Sequence, residues 1–322
     1  MNKLILATIL VFSFVGVFAQ GSSTTELMKI MNQSDISYEI SVLDKDVTRK
    51  DMSKNLTTND FYQQDERGKT TVKQYNISTK EADQLLKEKD YIEARKAYMK
   101  ILNQEPLCAK AMTGMGQAFE LEGDMEKAEK WFTKAVNQNF HDYKAHYALA
   151  NIYLKQKNKE KAATEITIAH ILNRNNKTVK SLLDNIYAAT GRKVASWEVV
   201  PQCEVKKVEA KKVTINVKTE WLNYAIPMAA RNHEPSLKGK TEMIDIVKEG
   251  LISMYPNLLR NPQLQQQTSF KYLKKSLEQQ QLDSFGYYEI VLVEEPETAF
   301  KLSKETIEHI GEYLMKTRSL RL

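Results

Sequence analysis

Between Ser78 and Gly191 the small and large apolar residues recur at an interval of 34 positions. Small side chains stand at Ala82, Gly116 and Ala150 and again at Ala94, Ala128 and Ala162. Large ones stand at Leu85, Phe119 and Tyr153 and at Tyr98, Phe132 and Ile166. A lone helix has no use for such a period. A stack of helical hairpins has, because helices cross closely only where small side chains meet large ones that fill the groove. The pattern predicts a helix A and a helix B in each of three repeats. Asp90, Asp124 and Asn158 fall in register between A and B and predict the N-caps of the B helices, where a side-chain oxygen satisfies a free backbone N–H. Ser78 and Glu81 have the spacing of a capping box for the first helix A, which runs to about Lys89. A further helix, from about Lys177 to Thr190, keeps the register with Leu183 and Tyr187 and stops at Gly191. With Asp184 at its close-packing position, it predicts a capping helix with one polar face.

Outside 78–191 the pattern is weaker. Gln20 to Asn76 is polar and predicts a linker (20–77), except that Ile36, Tyr38, Ile40 and Val42 alternate with polar residues. That alternation fits a half-buried strand over 36–42 and equally a loosely ordered extended segment. In 192–322, Trp197 and Val199 alternate, and Val213, Ile215 and Val217 alternate after a lysine-rich turn, which predicts a β-hairpin near 205–218. Trp221, Tyr224, Ala225 and Met228 predict a helix that Pro227 should kink or break, and Met243, Ile246, Val247, Leu251 and Met254 one that ends at Pro256. Phe270, Leu273 and Leu277 mark another, and Ile307, Ile310 and Leu314 a last one beginning near Ser303. Tyr287 to Val293 reads as a buried strand or a buried helix segment. The expected fold is mainly α: a helical-hairpin array over 78–191, then an α-rich domain over 192–322 with a small sheet that the Ile36 strand would join.

The register of 78–191 resembles the tetratricopeptide repeat family. Pro106 stands where that family's proline ends helix B, while Phe140 and Arg174 replace it in the next two repeats, with Asn137, Asn139, Asn173 and Asn175 as turn formers instead. The resemblance implies that the A helices line a concave surface that holds an extended peptide or a partner protein. By register the positions concerned are Asp83, Leu86 and Lys87, then Lys110, Thr113, Gln117, Glu120 and Leu121, then Lys144, Tyr147, Asn151, Leu154 and Lys155. The candidate binding residues among them are Lys110, Gln117, Lys144, Tyr147 and Asn151. Gln117 and Asn151 suit a peptide backbone, Tyr147 an apolar side chain, and Lys110 with Lys144 an acidic partner. The family's carboxylate clamp is not reproduced, because Thr79 and Asp83 stand where a basic residue and an asparagine belong. Trp221 to Glu234 faintly resembles segments that follow such repeats in bacterial proteins of unknown role.

Composition changes this picture little. The chain has 322 residues, 42% hydrophobic and 27% charged, enough for an array and a second domain. Its 47 basic residues are spread among 41 acidic ones and are mostly lysine, so the net +6 predicts no nucleic-acid partner. Met1 to Ala19 has the form of a secretory signal, with Lys3, an apolar run from Leu4 to Val15 and Val17-Phe18-Ala19 as the cleavage site. The expected mature chain begins at Gln20, carries no membrane span, and lies in the periplasm, the cell envelope or outside the cell. No catalytic set, metal site or cofactor motif is read. His141 and His146 are five apart, and His146 and His170 occupy positions that usually pack. His233-Glu234-Pro235 lacks a second histidine, and Glu294, Glu295 and Glu297 form a solvated loop. Cys108 and Cys203 are separated by four helices of array, which argues against a disulfide. The expected function is that of an exported, non-enzymatic scaffold that binds a partner protein. The alternative is an enzyme or small-ligand domain at 192–322 that the repeats position, for which a convergent pocket of perturbed carboxylates or histidines would speak.

Overall fold

The computed structural model describes residues 23–48, 61–64, 70–73 and 78–322. The expected signal segment, 1–19, and most of 49–77 lie outside the described residues. The chain opens with helix α1 (Ser23–Gln33) and strands β1 (Ser37–Val42), β2 (Phe61–Gln64) and β3 (Thr70–Lys73). Three hairpins follow: α2 (Lys80–Lys87) with α3 (Tyr91–Gln104), α4 (Ala109–Glu122) with α5 (Met125–Gln138), and α6 (Tyr143–Lys155) with α7 (Lys159–Leu172). Helix α8 (Lys177–Ala189) leads into β4 (Arg192–Val194), then β5 (Cys203–Glu209) and β6 (Lys212–Val217). The rest is helical: α9 (Leu222–His233), α10 (Met243–Arg260), α11 (Pro262–Gln266), α12 (Thr268–Glu278), α13 (Leu282–Gly286), α14 (Leu292–Glu294) and α15 (Lys304–Tyr313), closed by β7 (Ser319–Arg321). Two units result. The described residues of 52–195 and 292–322 form the repeat unit, and 23–48 with 196–291 form the other.

In the repeat unit the predicted caps form. Asp90, Asp124 and Asn158 accept from the N–H groups of Glu93, Lys127 and Lys161 at 3.2, 3.0 and 3.2 Å. The residue before each cap is left-handed: Lys89 at φ 65°, Gly123 at 94° and Lys157 at 63°. The same turn therefore recurs in each repeat, and only the middle one has the residue that adopts it without strain. Ala94, Ala128 and Ala162 are fully buried at the crossings, beside Tyr98, Phe132 and Ile166. Neighbouring repeats are tied in register. The Arg95 guanidinium pairs with Glu122 at 2.5 Å, and 34 residues on, Gln156 donates to Glu129 at 2.8 Å. The capping box at Ser78 does not form as expected. Helix α2 starts one residue later, the Ser78 hydroxyl oxygen accepts from the Lys80 N–H at 3.2 Å, and the Thr79 hydroxyl donates to Asp83 at 2.9 Å.

The third helix B differs from the second in what covers it. Helix α7 is buried almost all round from Ala162 to Leu172, whereas α5 keeps Lys127, Lys130 and Lys134 exposed. The cover is the segment after Leu292. Helix α15 crosses α7 where Gly311 brings the backbones together, and a Cβ there would lie 3.4 Å from Thr167 Cγ2 and 3.9 Å from Ile171 Cδ1. His141 Nε2 bonds to the Leu302 carbonyl at 2.8 Å, and Ser303 caps α15 by accepting from Thr306 at 3.0 Å. Residues 292–322, expected with the domain that starts at 192, thus pack on the third repeat.

The other unit is a three-stranded sheet, in the order β1-β6-β5, against helices. Strand β1 runs parallel to β6 with Tyr38 beside Val213 and Ile40 beside Ile215. The expected hairpin forms as β5 and β6. The Tyr38 hydroxyl donates to Glu234 Oε1 at 2.6 Å inside the core. Leu27, Met31, Ile36 and Leu43 are buried with it, so 23–48 is core where a linker with one strand was expected. Neither Pro227 nor Pro256 ends its helix: α9 and α10 run through them. A proline in a helix interior costs about 3 kcal/mol. Beyond it, Leu258 is 1% exposed, and Ala229 and Ala230 are fully buried, so the far turns are held by packing. Tyr287 to Val293 is helical, a π-type turn that passes into α14.

Candidate functional site

Helices α2, α4, α6 and α8 touch in succession and give the array one common face. Lys110 and Gln117 lie on it from α4, and Lys144, Tyr147 and Asn151 from α6. They do not stand alike. Lys110 Nζ lies 3.4 Å from Asp83 Oδ2 across α2 and α4. Asn151 bonds to Glu120 across α4 and α6, with the Lys155 charge nearby. Lys144 is exposed, Gln117 is half-buried, and Tyr147 is half-buried with its ring against the core. Thr113, also a groove position by register, is 5% exposed and donates to Asp142 Oδ2 at 2.5 Å. It ties α4 to the cap of α6 and offers nothing to a ligand.

A fully buried residue outside the A helices braces this face from beneath. Tyr98 belongs to helix B of the first repeat, yet its ring lies against Gly114 of α4, and its hydroxyl donates to Asp83 Oδ1 at 2.7 Å. Burial first, and then this bond to a carboxylate, push the Tyr98 hydroxyl well above the usual tyrosine range. The signal in the sequence is the pair Gly114 and Gly116, which leaves room on α4 for the rings of Tyr98 and Phe132. Farther along, burial raises the Glu120 carboxyl, opposed by Lys155 and by the Asn151 bond. The face thus holds two acids, Asp83 and Glu120, each engaged by its own donors, and beside them Gln117 on α4 and Lys144 and Tyr147 on α6.

His141, His146 and His170 pack. His146 Nδ1 meets Glu165 Oε2 at 2.6 Å and Nε2 the Phe140 carbonyl at 2.9 Å. Among the described residues no group of three or more His, Cys, Asp or Glu is placed to hold a metal ion, and Cys108 and Cys203 form no disulfide. No described helix is long and apolar enough to cross a membrane. Burial, with Arg174, Lys180 and Arg318 adding to it, pushes His170 down to about 3, and burial also lowers His141. Their folded pKa values lie below the unfolded value of about 6.5. The stability His170 contributes is therefore full above about pH 6.5 and is lost as pH falls toward 3, by about 1.4 kcal/mol per pH unit, and His141 adds a loss of the same sign. Urea midpoints taken at pH 7.5 and 5.5 should show this loss, and His170→Gln should flatten it whatever it does to the baseline. An unchanged slope in that variant would refute the assignment.

Two tetratricopeptide repeat models match the chain, over residues 79–141 and 143–166. Comparison with curated proteins gave no match. Among solved structures, the first such repeat domain of Spaghetti (RPAP3), bound to the HSP90 peptide SRMEEVD, is 21% identical over 35% of this chain and 89% of its own, with a TM-score of 0.33. The type III secretion translocator chaperone SycD of Yersinia enterocolitica is 14% identical over 35% of this chain and 82% of its own, with a TM-score of 0.33. In complex with a peptide of the translocator YopD, SycD is 15% identical over 35% and 91%, with a TM-score of 0.32.

Proposed function

With residues 79–141 and 143–166 belonging to the tetratricopeptide repeat family, we propose that this chain is an exported scaffold that acts by binding, without a reaction of its own. Its ligand is an extended segment of another protein, held on the face of the A helices. What carries the reading is the middle of that face. Lys144 is exposed beside a half-buried Tyr147, and the half-buried Gln117 lies across from them on the neighbouring helix. A half-buried aromatic ring next to a solvated cation is the usual make-up of an anchor with a steering charge, and it fits a segment that pairs an apolar side chain with a carboxylate.

The test starts with affinity capture from the native cell, using protein that begins at Gln20, and continues with the variant Lys144→Glu with Tyr147→Ala. Binding of the captured partner should weaken by about 1–3 kcal/mol, with the array still folded, although the lost ring packing of Tyr147 lowers the melting temperature somewhat. Lys134→Gln, a change on helix B where the ammonium lies 4.3 Å over the Trp131 ring, should leave affinity unchanged. The reverse result would move the site off the A helices. Mass spectrometry of the protein from its own cell should find Gln20 as the first residue, and intact Met1 would end the export half of the reading.

A further inference from the structure

The positive charge of this chain is not spread as its sequence suggests. Residues 170–194 and 312–322 carry eight basic and two acidic side chains, a surplus equal to the +6 of the whole chain. Both acids are engaged locally, Asp184 with Lys180 at 3.1 Å and Glu312 with Lys316 at 2.9 Å. Strands β4 and β7, more than a hundred residues apart, pair antiparallel and join the two segments into one basic end of the repeat unit, with Arg192 opposite Arg321 and Lys193 opposite Leu320.

The register sets the geometry. The Leu322 N–H bonds to the Gly191 carbonyl at 2.9 Å, and the Ala195 N–H to the Arg318 carbonyl at 3.1 Å. Hydrogen-bonded and non-hydrogen-bonded pairs alternate along an antiparallel ladder, so Arg192 and Arg321 form a non-hydrogen-bonded pair. Two things follow. Their side chains are as close as a ladder brings them, and like charges so placed repel unless an anion lies between. Their N–H and C=O groups also point away from the partner strand, so the outer edge of β7 offers the Arg321 amide and the carbonyls of Arg321 and Ser319. The ribbon has two strands only, and among the described residues no third strand pairs with that edge. Leu320 and Leu322 alternate with Arg321 and turn to the opposite side of the ribbon, 48% and 75% exposed.

We infer that the β4–β7 ribbon is a docking edge for an extended protein segment in which acidic and apolar residues alternate. The segment adds a strand to β7, its carboxylates meet the guanidinium groups of Arg192 and Arg321, and its apolar side chains lie over Leu320 and Leu322. Arginine matches carboxylates through paired hydrogen bonds, and an added strand uses the outward amide and carbonyls, which an anionic lipid surface would leave unmatched. This site is separate from the face of the A helices.

The test uses the chain from Gln20 onward and a fluorescein-labelled peptide of alternating valine and glutamate, with its valine–glutamine counterpart as control. The glutamate peptide should bind at least tenfold more tightly, and the Arg321 amide should slow in hydrogen exchange when it binds. Arg321→Gln should weaken binding roughly tenfold, as loss of a charge-assisted pair does, while Lys144→Glu with Tyr147→Ala should not. Arg321 is exposed, so its substitution leaves the fold intact. Arg192, which donates to the Met315 carbonyl at 3.3 Å, serves as the second site, as Arg192→Lys. Any of three results overturns the inference: equal binding of both peptides, loss through the Lys144 variant alone, or Arg321-dependent binding to phosphatidylglycerol vesicles with none to the peptide.

Discussion

Gly114→Val is expected to destabilise the repeat unit by about 3 kcal/mol or more, at the upper end of what overpacking costs. A Cβ on Gly114 would lie far inside van der Waals contact of Tyr98 Cζ and Cε1. The ring has nowhere to go. Tyr98 is fully buried, and its hydroxyl is fastened to Asp83, which is itself held by Thr79 and Lys110. Moving it would leave a buried hydroxyl and a carboxylate short of their partners, a further cost of about 1–3 kcal/mol. Gly123→Ala is the contrast: nothing lies within 4 Å of its Cβ, and the change costs only the strain of φ 94°, about 1–2 kcal/mol. Urea denaturation of the full chain should rank the two in that order. Tyr98→Leu should relieve part of the Gly114→Val penalty, giving a coupling energy of opposite sign to the single effects. If the two changes simply add, the ring does not fill the space that glycine leaves.

A second large effect is expected for Ile168→Lys with Ile171→Asn. These changes copy Lys134 and Asn137, the residues one repeat earlier, onto α7. On α5 the two positions are exposed, whereas Ile168 and Ile171 are 8% and 1% exposed on α7. Each isoleucine contributes about 2–3 kcal/mol by burial, and a lysine forced into its place adds a desolvation cost. The helix should survive, because its register with α6 is untouched. The segment from Leu302 to Arg318 should come away, seen as fast hydrogen exchange at Ile307, Ile310 and Leu314 and as new protease cleavage there. Continued protection of those amides would mean that something other than α7 holds the segment.

How much was legible follows from how far apart the deciding residues lie. The caps at Asp90, Asp124 and Asn158 bond three residues away, so local sequence suffices to place them. The signal for α1 was also present, since Leu27, Ile30 and Met31 have helical spacing, but it is short and set among polar residues. The apolar excess of α7, with Ile168 and Ile171 where the second repeat has lysine and asparagine, is the sequence signal that something covers it. What covers it lies well over a hundred residues away. Pro227 and Pro256 misled because proline's helix penalty is local, while the burial that offsets it is not.

The candidate face divides the same way. A repeat of 34 residues decides by itself which positions recur on the A helices, because a fixed period in a helix fixes a side. It does not decide what those side chains already hold. That Thr113 is spent on Asp142, Lys110 on Asp83 and Asn151 on Glu120, while Lys144 stays in solvent, depends on how closely neighbouring helices approach. So does the basic ribbon: Arg192 and Arg321 read as isolated charges until β4 and β7 pair. The sequence determines the repeats, since each is built from contacts within one hairpin. The tertiary structure decides the cover on α7, the parallel β1–β6 pairing and the basic end, since each joins segments that no periodicity connects.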